Sequence, residues 1–533
     1  MADSAEKPAG SRQKQAGRGT LTHIVHPFGP VYDKTSRVLI LGSFPSVKSR
    51  EMAFFYGHPR NRFWKVASAV RGEAVPSGIE EKRAFLLRNH IALWDVIHSC
   101  DIHGSSDSSI RNAVPNNLMP ILRSAPIEMI YCNGAASWNL YEKYIRPAAG
   151  IPAVRLPSTS PANAAFSLDD LIKKWRRINA PIDHPELTVR SCRLCPRDCG
   201  IDRLFRRGFC GSPAWTVAAR AALHPWEEPC ISGANGSGTV FFTGCTLRCC
   251  FCQNYSISQE NFGKSISTGR LAEIFLELQD QGANNINLVT ATQYVPQVIE
   301  ALEADRGLLR IPVVWNCGGY ETVETVRALA PYVDVWLPDI KYFSADLAGK
   351  YSGARDYFPR AMAAVKEMIR LSGKPEFREE VLHRESAAQG TPAGEAGAQY
   401  GNTGAQYGDA AVGAVRADAP DAPQPAGYGQ SLLLTRGVVI RHMVLPGQYR
   451  DSEEILRRIA AELPRGQFLI SLMSQYTPFY KSSKHPEINR RITTYEYNKV
   501  LDTAIELGLD EGFMQEKSSA KEEYTPPFAL QGI

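Results

Sequence analysis

Short apolar runs punctuate an otherwise polar chain. Within residues 21–180 the runs at 37–41 (Arg-Val-Leu-Ile-Leu), 127–131 and 153–156 are too short for helices and too uniformly apolar for a strand with one wet face. They predict buried parallel strands separated by helical stretches. That alternation predicts a three-layer α/β/α domain on a short parallel sheet over 21–180. Further runs recur at 238–243, 286–290, 312–316, 333–337, 438–444 and 468–472, with amphipathic stretches such as 270–281 and 452–463 between them. Repeated strand–helix crossover units predict a partial (β/α)6 barrel over 233–533, with its active site at the strand C-termini.

Three intervals break this rhythm. Residues 1–20 are polar, small and basic, and read as a disordered tail. The segment 180–185 (Ala-Pro-Ile-Asp-His-Pro) reads as a linker, followed by a cysteine-rich lead-in at 187–232. From 385 to 431 the chain is rich in Ala, Gly, Gln, Pro and Asp, and Gly-Ala-Gln-Tyr-Gly occurs at both 397–401 and 404–408. Such a segment has too little apolar surface to offset its ordering entropy, and it reads as a disordered insertion between barrel elements. At 533 residues the chain exceeds a single ordinary core. No run of about eighteen apolar residues and no apolar signal region occur, so a cytoplasmic location without membrane contact is expected. The net charge of +5 permits nucleic-acid binding without demonstrating it.

Twelve cysteines in such a chain argue for metal binding rather than a disulfide scaffold. Directly after the apolar run 239–242, Cys245, Cys249 and Cys252 form a Cys-x3-Cys-x2-Cys set on one short loop, with Cys250 outside the spacing. Three thiolates suit a 4Fe–4S cluster better than zinc. A cubane held by three cysteines leaves one iron open to a substrate, whereas structural zinc takes four ligands. Spacing and strand-end position resemble the radical S-adenosylmethionine (SAM) enzymes, whose open iron chelates SAM before its reductive cleavage to a 5′-deoxyadenosyl radical. Candidates for holding SAM lie at the other expected strand ends: Asn287, Asn316, the pair Gly318 and Gly319, and Asp339 with Lys341. A Gly-Gly pair lets backbone approach a ligand closely, and Asp and Lys complement the charged ends of SAM.

With the stretches 441–447, 471–476 and 512–516, these residues resemble the branch of radical SAM proteins similar to pyruvate formate-lyase activating enzyme. The resemblance implies SAM contacts at Asp339 and Lys341, an electron donor such as flavodoxin or ferredoxin, and a protein substrate carrying a glycyl radical. Upstream, Cys192, Cys195, Cys199 and Cys210, with Cys230 further on, form a second group able to bind zinc or an auxiliary Fe–S cluster.

In the first half, the expected strand at 37–41 runs into Gly42-Ser43-Phe44-Pro45-Ser46, then Phe54-Phe55-Tyr56-Gly57-His58-Pro59-Arg60-Asn61-Arg62. Leu156-Pro-Ser158-Thr-Ser160-Pro-Ala-Asn163 follows another expected strand. A Gly-Pro turn brings backbone amides to a ligand, aromatics can stack an extruded base, and short hydroxyls can grip phosphates. In this order the segments resemble the uracil-DNA glycosylase superfamily, most closely its deoxyinosine (hypoxanthine) branch, whose substrate is damaged DNA. The resemblance implies catalysis by Asn61. It also shows a departure, because the Gly42–Ser46 turn lacks the carboxylate or amide that often positions the attacking water. Phe55 or Tyr56 would stack the base, Asn133 would read its edge, and Lys48, Arg60 and Arg62 are candidate phosphate contacts, with His58 structural. The competing reading is a radical SAM enzyme whose first half only binds nucleic acid.

Overall fold

The computed structural model of the protein describes residues 21–380, 432–509, 512–514 and 526–533. The expected tail at 1–20 and insertion at 385–431 lie outside the described residues. The chain divides into two compact units, Met1–Arg190 with Ser267–Gly269, and Ser191–Ile266 with Arg270–Ile533.

The first unit is built on a parallel sheet of four strands in the order Ile91–Asp95, Val38–Gly42, Met129–Asn133, Val154–Leu156. Val38 and Ile40 face a core shared with Phe63, Trp64, Phe85 and Trp175 from the helices Phe63–Arg71, Ile79–Arg88 and Leu168–Trp175. Leu39 and Leu41 are equally buried on the opposite face. There Ser137 of the helix Ala135–Tyr144 donates to the Leu41 carbonyl at 2.7 Å. Burial on both faces is why these strands read as continuous apolar runs. A separate antiparallel sheet joins Thr22–Val25, Ile97–Ile102 and Arg111–Pro115. Sequence reasoning missed that sheet and the strand Ile91–Asp95.

The expected linker at 180–185 is corrected. Ala180–Asp183 is a short helix whose Ile182 enters the first core, and the Pro181 carbonyl accepts from Arg37 Nε at 2.6 Å. Leu187 and Val189 are also buried, and the Val189 amide donates to Glu128 at 3.2 Å. The chain therefore stays packed in the first unit as far as Arg190.

The second unit carries a ten-stranded sheet. Its parallel portion runs in the order Ser237–Phe242, Ile286–Val289, Val313–Cys317, Val335–Pro338, Leu432–Met443, Leu469–Met473, Gly512–Met514. The six expected strands are all present, with ends shifted by a few residues. Helices Thr268–Asp280 and Tyr449–Glu462 occupy the amphipathic stretches. The edge is extended by Val217–His224 and Lys264–Ser265, both antiparallel. Glu376–Glu379 pairs antiparallel with the start of Leu432–Met443, placing Glu379 opposite Leu432.

Candidate functional sites

In the first unit the strand ends bring three distant segments together. Asn61 Oδ1 accepts from the Phe63 amide at 2.9 Å and from Thr159 Oγ1 at 3.0 Å. The Thr159 amide donates to Asn133 Oδ1 at 3.0 Å, and Asn133 Nδ2 reaches both Thr159 Oγ1 at 2.9 Å and the Tyr56 hydroxyl at 3.0 Å. Asn61, Thr159, Asn133 and Tyr56 thus form one chain of hydrogen bonds. Tyr56 lies face to face on Phe63 at 4.0 Å and holds a left-handed backbone at φ 50°, a conformation that costs a bulky residue free energy. Burial raises its phenol, so the hydroxyl keeps its proton. Gly134, at φ 99°, lets the turn after Met129–Asn133 close on Ser158, whose Cβ would lie 2.8 Å from any added Cβ.

Sequence reasoning found no carboxylate in the Gly42–Ser46 turn, and the fold supplies two from elsewhere. A Cβ on Gly42 would fall 2.1 Å from Asp95 Oδ1 and 3.5 Å from the Tyr56 hydroxyl. Asp95 is 4% exposed, and its Oδ2 is bonded to buried His26 Nε2 at 2.8 Å. Oδ1 has no hydrogen-bond partner among the described residues, which leaves it free for a ligand or water. His26 is packed edge-on against Phe28 and Phe44. Ser43 donates to Asp107 at 2.7 Å. Asp107 sits on an exposed turn, and desolvation beside Ser43 raises its carboxyl despite the Ser43 bond, with the Asp95 charge adding to the rise. No signal in the sequence pointed to Asp95, because its role depends on pairing of strands 38–42 and 91–95.

Other expected site residues find structural work. Phe44, Pro45 and Phe55 are buried, with Phe55 packed edge-on to Phe28 at 4.8 Å, so Tyr56 is the more accessible of the two stacking candidates. Arg62, a candidate phosphate contact, instead donates to the carbonyls of Phe166, Ser160 and Asn163. Ser158 Oγ accepts from the Ser160 amide, Ser160 Oγ from the Ala162 amide, and Asn163 Nδ2 donates to the Ser158 carbonyl, so this loop is tied to itself. Lys48 pairs with Glu51 at 2.7 Å on the surface, Arg60 is exposed, and His58 closes its own turn by accepting from the Arg60 amide.

In the second unit the loop after Ser237–Phe242 carries Cys245, Cys249 and Cys252. Their sulfurs accept from the Leu247 amide at 3.4 Å, Ser352 Oγ at 3.0 Å and Ser258 Oγ at 3.3 Å respectively. Burial pushes Cys245 up to about 11 and Cys252 up to about 12, so stable thiolates there need a cation beside them. Three thiols on one loop, each already receiving a donor, fit a cluster. The Cys250 backbone pairs with the Tyr351 and Lys481 backbones on the other side of the loop.

The strand-end polar residues also converge, on two groups that sequence reasoning did not assign. Glu227 Oε2 accepts from Asn287 Nδ2 at 2.7 Å and Asn316 Nδ2 at 2.9 Å. Arg441 bonds Glu227 at 3.0 Å, Asn316 Oδ1 at 2.6 Å and Asp339 Oδ1 at 3.1 Å, while Lys341 Nζ holds Asp339 Oδ2 at 2.5 Å. Burial would raise the Asp339 carboxyl, but the Arg441 and Lys341 charges outweigh it and the net shift is downward. At Gly318 and Gly319 the protein's own chain comes close. An added Cβ would strike Leu247 of the cluster loop at 2.8 Å from Gly318, and the Asp339 carbonyl at 2.1 Å from Gly319. These glycines admit the protein's own chain, seating the cysteine loop against the strand ends.

The second cysteine group is brought together as well. Cys192, Cys195, Cys199 and Cys210 line one cavity. Cys230 lies apart, in the core with Val314 and Val335. No helix among the described residues is long and apolar enough to cross a membrane.

Comparison with known proteins separates the two units. A family model for the uracil DNA glycosylase superfamily matches residues 30–179, and one for the radical SAM superfamily matches 239–378. A hypoxanthine DNA glycosylase of Methanosarcina acetivorans is 34% identical over 145 residues, covering 27% of this chain and 91% of the relative. An uncharacterized protein of Methanocaldococcus jannaschii is 26% identical over 357 residues, 65% of this chain and 83% of its own length. The crystal structure of Streptococcus suis SuiB with its precursor peptide aligns over 51% of this chain and 46% of SuiB, at 10% identity and a TM-score of 0.30.

Proposed function

The chain belongs to the uracil DNA glycosylase superfamily through residues 30–179 and carries a radical SAM domain over 239–378, and from that premise we propose a bifunctional enzyme. Its first unit hydrolyses the N-glycosidic bond of deoxyinosine in DNA, and its second cleaves SAM reductively. The observation that supports the first activity best is the free oxygen of Asp95 beside Gly42, on the same side of the strand ends as the hydrogen-bonded chain of Tyr56, Asn133, Thr159 and Asn61.

Hydrolysis needs a water oriented on the sugar carbon, relief of the positive charge that develops on the sugar, and donors for the departing purine. Asn61 cannot readily supply the first, because its carboxamide oxygen is already shared by Phe63 and Thr159. Its Nδ2 and the Tyr56 hydroxyl remain as donors to the leaving base. Asp95 Oδ1 is the acceptor left for water and for the sugar cation, and His26 fixes the carboxyl in that orientation. Asn61 then acts on the leaving group and Asp95 on the nucleophile.

In the second unit Cys245, Cys249 and Cys252 would hold a 4Fe–4S cluster, and Asp339 and Lys341, largely buried at the strand ends, would meet the charged groups of SAM. A cluster held there would supply the electron for reductive cleavage of SAM, with a flavodoxin or ferredoxin as the donor the motif resemblance implies. Arg441 and Glu227 hold the strand ends in register beneath it. The activating-enzyme motifs support a protein target for the resulting radical, such as a glycyl-radical partner. Incubation with SAM, a reductant and candidate proteins, read by hydrogen transfer into 5′-deoxyadenosine, tests that extension.

The deciding experiment for the first unit is release of base from oligonucleotides carrying one hypoxanthine, uracil, xanthine or normal base. Hypoxanthine release that falls in Asn61→Ala and again in Asp95→Asn, with DNA binding retained, supports the assignment. Binding without release by the unaltered protein would reduce the first unit to a nucleic-acid-binding module.

A further inference from the structure

We infer that Cys192, Cys195, Cys199 and Cys210 ligate an iron–sulfur cluster of their own, separate from the one expected on the 245–252 loop. The chain folds back tightly to bring these sulfurs together. The Cys192 amide donates to the Ile201 carbonyl at 2.9 Å, the Gly200 amide returns to the Cys192 carbonyl at 2.9 Å, and the Asp198 amide closes on the Cys195 carbonyl at 3.0 Å. Asp198 and Gly200 turn through left-handed backbone at φ 44° and 60°. Gly208 leaves room for Cys199, whose sulfur would lie 3.2 Å from an added Cβ. All four thiols reach the same cavity.

Charge is the second observation. Arg203, 1% exposed, lines this cavity. Its guanidinium donates to the carbonyls of Gln293, Pro213 and Ser212 and to Cys192 Sγ at 3.7 Å. No carboxylate among the described residues contacts it. A buried cation without an anion is strongly disfavoured, and a centre with four thiolate ligands carries net negative charge.

Zinc would gather four such sulfurs about 2.3 Å from one point, whereas a cubane takes one sulfur at each corner, and metal analysis tells the two apart. Arg197 Nε donates to the carbonyl of Thr246 at 2.8 Å, and Thr246, next to Cys245, forms part of the cavity wall. The two cysteine groups are therefore adjacent, which favours iron–sulfur chemistry at both.

The test is metal content, which depends on neither activity proposed above. After anaerobic reconstitution, the full chain should hold about eight irons and eight sulfides, in two 4Fe–4S clusters. A Cys245→Ala, Cys249→Ala, Cys252→Ala variant should keep about half of both, with the absorption and reduced-state electron paramagnetic resonance of a four-iron cluster. Cys192→Ser with Cys199→Ser, in a chain otherwise intact, should lose the other half and keep the loop cluster, which also reports that the variant has folded. Unchanged iron in that pair overturns the inference, as does stoichiometric zinc in place of the second set of irons.

Discussion

Replacing Gly42 by alanine tests whether Asp95 is fixed where the chemistry needs it. Gly42 is buried at the end of its strand, and its φ is not left-handed, so alanine can adopt the backbone. Within a strand that exchange ordinarily stabilises by about 0.5–1 kcal/mol. Here the methyl carbon would sit 2.1 Å from Asp95 Oδ1 and 3.3 Å from its Cγ. The carboxyl is short, 4% exposed and bonded to His26, so it cannot turn aside without breaking that bond. Overpacking of this kind costs about 1–3 kcal/mol. The balance is a net local loss of up to about 2.5 kcal/mol, or up to roughly 70-fold faster opening of the paired strands. Hydrogen exchange of the full chain, followed in peptides covering 38–42 and 91–95, reads that loss, and single-turnover hypoxanthine release reads the displaced carboxyl. In an Asp95→Ala background the clash is absent, so Gly42→Ala should become neutral or stabilising while release stays abolished. An equal penalty in both backgrounds, or unchanged exchange and release in Gly42→Ala alone, would refute the reasoning.

Other consequences can be measured directly. Arg441→Ala leaves Glu227 largely buried without a cation and Asp339 with Lys341 alone; it should destabilise the second unit by about 3–5 kcal/mol and abolish SAM binding, seen by thermal unfolding and equilibrium dialysis. Burial raises the Glu228 carboxyl from 4.5 to about 7, against the opposing Arg441 charge. Its protonated form favours the folded state, so this contribution is complete below pH 4.5 and lost as pH rises through about 7, a change of about 3 kcal/mol that Glu228→Gln should flatten in urea unfolding. Residues 1–190 expressed alone should fold and release base, whereas 1–180 should not, because Ile182, Leu187 and Val189 complete the first core. Circular dichroism and the base-release assay on the two fragments would check this.

The strands legible in the sequence were those buried on both faces, where side-chain character alone marks them. Thr22–Val25 and Arg111–Pro115 are largely exposed and carry no clear alternation, so nothing in their composition announced a sheet. Val217–His224, Val-Ala-Ala-Arg-Ala-Ala-Leu-His, has the composition of a helix, yet it is held as a strand by its antiparallel pairing with Ser237–Phe242. At the sites, local motifs placed Asn61, Asn133 and the cysteine loop in the regions where the structure gathers polar groups. The partners that give these groups their character were hidden by distance along the chain. Arg441 and Glu227 are 214 positions apart, and His26 and Asp95 are 69 apart. A single sequence shows residue types at positions, whereas such pairings exist only once the strands are in register.

The pairing of Glu379 with Leu432 makes the interval between them a port in the architecture. Both ends of the intervening segment of about fifty residues are fastened to one another by a hairpin that belongs to the sheet, so the segment's length is decoupled from the barrel's stability. Loop-closure entropy grows only with the logarithm of length, and trimming the interval to a five-residue turn would change stability by only about 2 kcal/mol. The same arithmetic allows cargo to be exchanged there. A fluorescent reporter, an affinity handle or a whole foreign domain with neighbouring termini could be spliced between 380 and 432 while the cysteine loop and the strand ends keep their places.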